Sequence, residues 1–206
     1  MFKLNGKLVS INQDLTVGEG EAAITYPAAS LQDADTRAQI GIVEEPDLPR
    51  PDDSIYWVTQ NDDGTYTAIP KDKEVLVAQM WERIKAKRDQ IKGGGVKVGT
   101  KWYHTDPDSR IQHLGLKDQA RDILAAGGSD SSRLKAMGQD IAWKTLDGSF
   151  IFLTVKHAFD IVAAVSNLDA AAFAAAEAHR AAMAASDNPM NYDFCAGWPV
   201  IYEGSA

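Results

Sequence analysis

Hydrophobic and polar residues alternate with a period of two through most of the first third of the chain, a pattern typical of short β-strands. Apolar positions alternate across residues 2–11 around Asn5-Gly6, and Asn-Gly favours the tight turn of a two-residue hairpin. Two further strand-like runs, 55–59 and 66–69, flank a polar turn. The three prolines and five acidic residues of 44–53 predict an exposed, stiff connector instead. We therefore expect an N-terminal module that is rich in β-hairpins.

One short helix interrupts this module in the prediction. Ser30 precedes an apolar and polar mixture at residues 31–40, and serine is a preferred N-cap residue. Gly41 follows as a stop signal. The sequence therefore predicts a helix over 31–40 with Ser30 as its cap.

From residue 74 the period of the apolar positions becomes helical. Val75, Met80, Ile84 and Ile91 approximate one stripe, with charged residues between them. Three consecutive glycines at 93–95 end this segment, because each adds backbone freedom that a helix would have to remove. We expect an amphipathic helix over 75–92 that connects the N-terminal module to the rest of the chain.

Beyond the glycines, the pattern predicts two hairpins covered by helices. One turns at Gly99-Thr100 and the other at Asp147-Gly148. Asp106 is a candidate cap for a helix that begins near Ser109. The remaining predicted helices are a short one at 134–138, one at 155–165, and an alanine-dense one that restarts at about 169 and runs to 186.

These elements predict an α+β fold in three parts. The parts are an acidic β-rich N-terminal module at 1–74, a connecting amphipathic helix at 75–92, and a C-terminal α+β domain at 93–206.

The distribution of charge narrows the range of partners. Residues 1–74 hold 14 acidic and 6 basic residues, so the net charge of −8 lies entirely in this segment. Residues 75–206 hold 15 of each and are neutral overall. A strongly acidic segment argues against nucleic acid as its partner, because phosphates repel it.

Signals for export and membrane insertion are also absent from the pattern. No apolar run approaches the roughly 18 residues that span a bilayer, so we expect no membrane insertion. The first residues lack the long apolar stretch of a signal peptide, and Cys195 is the single cysteine, which excludes an internal disulfide. We expect a protein that stays in a reducing cytoplasm.

A search for catalytic or metal-binding chemistry finds no strong candidate. The four histidines, at positions 104, 113, 157 and 179, have no ligand spacing, and we expect each to be a surface or cap residue. His104 lies near Asp106, which leaves open a general-base pair, but a role in the helix cap is favoured. The glycines at 93–95 are followed by a strand rather than by the helix that a phosphate loop requires. The sequence therefore predicts no catalytic residue, no metal ligand, no cofactor and no enzymatic activity.

Several motifs nevertheless resemble a known family. The residues that carry the resemblance lie at about 81–183, in the run 94–106 (GGVKVGTKWYHTD), at Ser109-Arg110-Ile111 and Leu114-Gly115-Leu116, in the block 143–150 (WKTLDGSF), and at Phe173, 177–179 and 181–183. They are similar to an uncharacterised domain family of bacteriophages and prophages, which occurs in tail-fibre and tail-fibre-assembly proteins. The segment 116–141 departs from the usual pattern by being longer. The N-terminal segment also resembles phage tail-associated proteins, more weakly.

The resemblance implies a non-enzymatic tail protein that binds the tail fibre, as an assembly chaperone or as an accessory bound to the fibre. It would act in the host cytoplasm during assembly, with the virion tail as a second location. A structural component of the mature tail or baseplate is the first alternative, and a carbohydrate-directed enzyme of the tail tip is the second, although no pair of carboxylates can be assigned. Interface energy concentrates in aromatic side chains, so the predicted partner-binding residues are Trp57, Trp102, Tyr103 and Trp198. The sequence carries no signal for an oligomeric state.

Overall fold

The fold is α+β, as the sequence predicts. The structure is a computed structural model that describes residues 1–204. It is 42% helical and 21% strand, and every pair of strands is antiparallel. The chain divides into two compact units, unit 1 at Met1–Asp72 and unit 2 from Lys73 onward.

Unit 1 consists of short antiparallel ribbons and one short helix. Its elements are β1 (Phe2–Leu4), β2 (Lys7–Val9), β3 (Leu15–Val17), β4 (Ile24–Tyr26), α1 (Ala34–Gln39), β5 (Ile42–Glu44), β6 (Tyr56–Gln60) and β7 (Tyr66–Pro70). Strands β2, β1 and β5 form one sheet in that order, whereas β3 pairs with β4 and β6 pairs with β7. The predicted turn between β1 and β2 is present, with positive φ angles at Asn5 and Gly6.

The predicted cap of the short helix is wrong. Ser30 begins a 3-10 turn, Ser30–Gln32, and its hydroxyl donates to the carbonyl of Pro27 at 2.8 Å. Helix α1 begins later, and its N-cap is Asp33, whose carboxylate accepts from the backbone N–H of Thr36 at 2.8 Å. Ser30 lies four residues before the first residue of α1, too far to cap it, whereas Asp33 directly precedes that residue.

Unit 2 is built around one long helix. Its elements are α2 (Lys73–Gly93), β8 (Val96–Val98), β9 (Lys101–Tyr103), α3 (Pro107–Ala125), β10 (Lys135–Ala136), β11 (Gln139–Asp140), β12 (Ala142–Lys144), β13 (Phe150–Phe152) and α4 (Val155–Ala185). Helix α4 packs against α2, α3 and β8. Its buried side chains recur at helical spacing and run along one side of the helix, namely Val155, Ala158, Ile161, Leu168, Ala172, Ala176 and Met183.

Three details of unit 2 differ from the prediction. Residues 134–138 are not helical, because Met137 and Gly138 both have positive φ and form the turn of the hairpin β10–β11. As far as residue 204, unit 2 therefore contains three hairpins rather than two. Helix α4 does not restart near residue 169 but runs unbroken from Val155 to Ala185. Helix α2 is not a separate connector, since it is part of unit 2 and packs on α4.

The sequence pattern predicts no segment that could span a membrane, but helix α4 has the length and apolar composition of one. It is long and apolar enough to cross a membrane by length and composition, with a mean hydropathy of 1.4 over its best 18-residue window. The window is 22% buried. However, Asp169 and His179 within this helix hydrogen-bond to other parts of unit 2. The absence of membrane insertion stays a prediction.

Candidate partner-binding surfaces

Trp57 lies on an exposed apolar face of unit 1. It is directly opposite Ile69 in the β6–β7 ribbon, and the two side chains are 54% and 59% exposed. The ammonium of Lys71 lies 4.6 Å from the centre of the Trp57 ring and donates to the backbone carbonyl of Asp53 at 2.6 Å. We call Trp57 and Ile69 together the ribbon face. Cross-strand apolar pairs of this kind stabilise a ribbon but leave it able to bind another surface.

Trp102 lines a groove in unit 2. The groove has a volume of about 500 Å³ and lies between the β8–β9 hairpin, α4 and the segment that follows Trp198. Val96 and Trp102 form one side, Ala164 and Leu168 of α4 form another, and Val200, which is 81% exposed, stands at its edge. The small side chains of Ala164 and Ala171 leave space on the side of the groove that α4 forms. The groove is mostly apolar, with Lys97 and Asn167 as its polar lining residues.

Two glycines allow the C-terminal segment to lie beside this groove. The backbone N–H of Tyr202 donates to the carbonyl of Gly94 at 2.9 Å, and a side chain at Gly94 would collide with Ile201. Gly95 has a φ of +92°, and its N–H donates to the hydroxyl of buried Thr105 at 2.8 Å. The triple glycine therefore does more than end α2, since it permits a close backbone crossing.

Trp198 is partly buried inside unit 2 and is not one of the residues that line the groove. Its indole N–H donates to the carbonyl of Phe194 at 2.7 Å, and its ring lies 5.1 Å from the ring of His179. The half-buried side chain packs against both apolar clusters of unit 2. Trp198 therefore offers only part of its surface to a partner.

Tyr103 does not belong to either surface, and its assignment as a partner-binding residue is wrong. It is 0% exposed and packs in the main apolar cluster of unit 2. Burial raises the pKa of its hydroxyl to about 12. Successive side chains of a strand point to opposite faces, so Trp102 and Tyr103 of β9 cannot both face outward.

A charged contact joins the groove hairpin to the β12–β13 hairpin. The ammonium of Lys101 donates to the carboxylate of Asp147 at 2.8 Å and to the hydroxyl of Ser149 at 2.7 Å. The backbone N–H of Leu146 also donates to the carbonyl of Trp102 at 2.9 Å. Lys101 and the hydroxyls around Asp147 hold the pKa of that carboxyl far below its usual value. The backbone of Trp102 is therefore anchored on a second hairpin.

Arg110 joins several elements of unit 2, although its position in the sequence marks it only as part of the motif Ser109-Arg110-Ile111. Its guanidinium donates to both carboxylate oxygens of Asp169, at 2.8 and 3.0 Å. It also donates to the backbone carbonyls of Thr105 and Lys92, at 2.6 and 2.7 Å. One side chain thus joins the end of α2, the segment after β9, α3 and α4. Arg110 and Asp169 are 59 positions apart in the sequence, so no local sequence signal reveals the pair.

Three of the four histidines take part in a helix cap, in hydrogen bonds within unit 2 or in its interior. His157 belongs to a capping box at the start of α4, where its backbone N–H donates to the hydroxyl of Thr154. His179 contacts the hydroxyl of Tyr192 and the carbonyl of Ala196, each at 2.9 Å. His113 is not a surface or cap residue as predicted, because it is 1% exposed.

The prediction that Asp106 caps α3 is confirmed. The cap of α3 is the carboxylate of Asp106, which accepts from the N–H of Ser109 at 2.9 Å, and not His104. Among residues 1–204, no three histidine, cysteine or acidic side chains are grouped so that they could hold a metal ion.

Comparison with known proteins assigns unit 2 to a family. No curated protein and no solved structure matches the chain. A family model described as "Domain of unknown function (DUF4376)" matches residues 75–195, which is more than half of the 206 residues. The matched span includes α2, α3, α4, Trp102 and the Arg110–Asp169 pair, and it leaves out Trp57 and Trp198. The chain belongs to the DUF4376 family.

Proposed function

We propose that this chain is a non-enzymatic bacteriophage tail protein that binds the tail fibre, either as an assembly chaperone or as an accessory bound to the fibre. The resemblance of residues 81–183 to phage and prophage domains supports a tail context. A fibre chain exposes apolar surface and unpaired strand edges before it assembles. A partner with complementary exposed surface would shield them.

The apolar surface of unit 1 carries this proposal. Only two large apolar side chains of unit 1 are buried, Leu31 and Ile42. Six are at least 39% exposed, namely Leu8, Ile24, Val43, Leu48, Trp57 and Ile69. Single exposed apolar side chains are common on protein surfaces, but Trp57 and Ile69 lie directly opposite each other and so expose neighbouring apolar area, which is typical of sites of protein interaction. The ribbon face of Trp57 and Ile69 is the part of this surface that we assign to the fibre.

Co-expression of the chain with the fibre encoded beside it tests the proposal. We expect the two proteins to co-purify and the soluble yield of the fibre to rise. Because a buried tryptophan at an interface commonly supplies at least 2 kcal/mol, Trp57→Ala should reduce the recovered complex about tenfold or more. The matched control is Met137→Ala, since Met137 is also apolar and fully exposed but lies on the β10–β11 turn of unit 2.

Two results would contradict the proposal. The first is an unchanged yield of soluble fibre without co-purification. The second is an equal loss of complex in Trp57→Ala and Met137→Ala, which would show that the ribbon face has no special part in binding.

A further inference from the structure

Three aromatic side chains in unit 2 each carry a buried polar atom with no hydrogen-bonding partner in the protein. The atoms are Tyr103 Oη, His113 Nδ1 and Trp143 Nε1. The ring of His113 lies 4.8 Å from that of Trp143 and 6.5 Å from that of Tyr103, measured between ring centres. Folded proteins rarely leave a buried polar group unpaired, and three in one cluster call for a common explanation.

The hydrogen-bonding roles of the three atoms follow from their chemistry. His113 Nε2 lies 3.0 Å from the backbone carbonyl of His104, which can only accept, so Nε2 carries the hydrogen. Burial lowers the pKa of His113, so the imidazole is neutral at pH 7 and Nδ1 is an acceptor. The indole of Trp143 can only donate, and the hydroxyl of Tyr103 can donate. The cluster therefore presents two donors and one acceptor.

We propose that one internal water molecule binds among Tyr103, His113 and Trp143, where it accepts from the phenol and the indole and donates to His113 Nδ1. Water has two lone pairs and two hydrogens, so it satisfies all three groups and keeps one hydrogen. The water joins β9, α3 and β12, which carry the three rings. The inference is independent of the proposed function, since it concerns only the interior of unit 2.

The close packing of the rings also favours water over a larger ligand. The rings of His113 and Trp143 are in contact, and all three polar atoms are shielded from solvent. A cavity of about 250 Å³ borders His113 between α3 and α4, lined mainly by apolar side chains such as Leu114 and Val165. This cavity meets the cluster only at His113.

Nuclear magnetic resonance of the full-length protein tests the site directly. We expect the ring nitrogens of His113 to show the tautomer with hydrogen on Nε2. We also expect the indole N–H of Trp143 to give a cross-peak to a long-lived water. The cross-peak should disappear in Trp143→Phe. Absence of the cross-peak in the unchanged protein would overturn the proposal, because the indole would then have no water beside it.

The melting temperature of Tyr103→Phe provides a second test, because it should fall if a water binds the hydroxyl and rise if the hydroxyl has no partner. If a water satisfies the hydroxyl, its removal should lower the melting temperature by several degrees. Tyr192→Phe calibrates the loss, because the hydroxyl of Tyr192 has a known partner in His179. A higher melting temperature for Tyr103→Phe would overturn the proposal, since removing an unsatisfied buried hydroxyl stabilises a protein. A lower melting temperature without the water cross-peak would also overturn it, in favour of a direct bond from Tyr103 to His113.

Discussion

Asp147 concentrates four hydrogen bonds on one exposed carboxylate. Its Oδ1 accepts from the hydroxyl of Thr145 and from the N–H and hydroxyl of Ser149, and its Oδ2 accepts from Lys101. The Thr145 and Ser149 bonds close the turn between β12 and β13. The Lys101 bond is the one that reaches the hairpin bearing Trp102. A single side chain therefore fixes a turn and positions a neighbouring element.

The stability contributed by Asp147 should depend on pH. Because Lys101 first, and then Ser149 and Thr145, lower its pKa in the folded state, its contribution is complete above the usual value of 3.8 and is lost as the pH falls below it. We expect the melting temperature of the unchanged protein to fall more steeply between pH 4 and pH 2 than that of Asp147→Asn. Thermal melts across this range measure the difference. Asp118→Asn is the control, because Asp118 is exposed and its ion pair with Arg121 is long at 3.6 Å. Equal dependence of the melting temperature on pH in all three proteins would refute the role given to Asp147.

Gly95 should be the least replaceable of the three consecutive glycines in terms of backbone conformation. A Cβ there would meet the side chain of Leu146 and the carbonyl of Tyr103, and its φ of +92° is unfavourable for any other residue. We expect Gly95→Ala to lower the free energy of unfolding by about 1–3 kcal/mol. Urea denaturation measures it. Gly93→Ala is the matched control, because Gly93 lies in α2 with open space around it, and it should be neutral or stabilising by up to about 1 kcal/mol. A similar loss in both variants would contradict the role given to Gly95.

At the scale of elements, Arg110 of α3 joins this helix to α4 through Asp169 and to the end of α2 through the carbonyl of Lys92. Two of its bonds go to backbone carbonyls and two to the carboxylate of Asp169. The side chains of Arg110 and Asp169 are 23% and 32% exposed, so the pair is partly shielded from water. A planar guanidinium can make all four bonds at once, whereas a lysine ammonium has only three hydrogens at one point.

We therefore expect Arg110→Lys to lower the free energy of unfolding by about 2–3 kcal/mol, because at least one charged hydrogen bond and the bidentate geometry are lost. Chemical denaturation followed by circular dichroism provides the value. Arg121→Lys is the matched control on the same helix, since its contact with Asp118 is long and well exposed and should contribute little. Equal effects of the two substitutions would show that Arg110 acts as an ordinary surface residue.

Local signals explain which elements the sequence could predict. Asn5-Gly6 and Asp147-Gly148 favour positive φ or tight turns, and the hairpins around them are present. The turn at Met137-Gly138 escaped prediction, because methionine has no intrinsic preference for the left-handed conformation that Met137 adopts. Helix α4 continues through 166–169 because its buried residues pack on neighbouring helices, and tertiary packing outweighs local propensity.

The candidate surfaces were predictable only in part. Trp57 is exposed and Trp102 lines a groove, and the prediction of both rests on the concentration of interface energy in aromatic side chains. The period of two on β9 could have excluded Tyr103, because its neighbour Trp102 was already placed outward. No local pattern could reveal the Arg110–Asp169 pair or the burial of His113, since both depend on contacts between distant segments.

At the scale of the whole molecule, the two units differ in charge. Unit 1 carries 13 acidic and 5 basic residues, whereas the part from residue 73 onward carries 16 of each. Two of the bases in unit 1 are already paired, Lys3 with Glu45 and Arg50 with Asp53. The excess of acidic residues in unit 1 leaves like charges that repel one another, and this repulsion opposes its compact state.

We expect this repulsion and the small core of unit 1 to make it the less stable unit, with a stability that rises with salt. Backbone amides of β6 and β7 should exchange with deuterium faster than those of α4, and 0.5 M sodium chloride should slow the exchange in unit 1, because it screens charges beyond about 5 Å. Unit 2 has no net charge and supplies the internal control, so its exchange should change little. Deuterium exchange measured by mass spectrometry on the full chain, at low and high salt, resolves both units in one experiment. Equal protection of the two units at low salt would contradict the prediction, because the core of unit 1, with Leu31 and Ile42 as its buried large apolar side chains, would then be sufficient for equal stability. An equal response of the two units to salt would also contradict it, because charge repulsion would then not weaken unit 1.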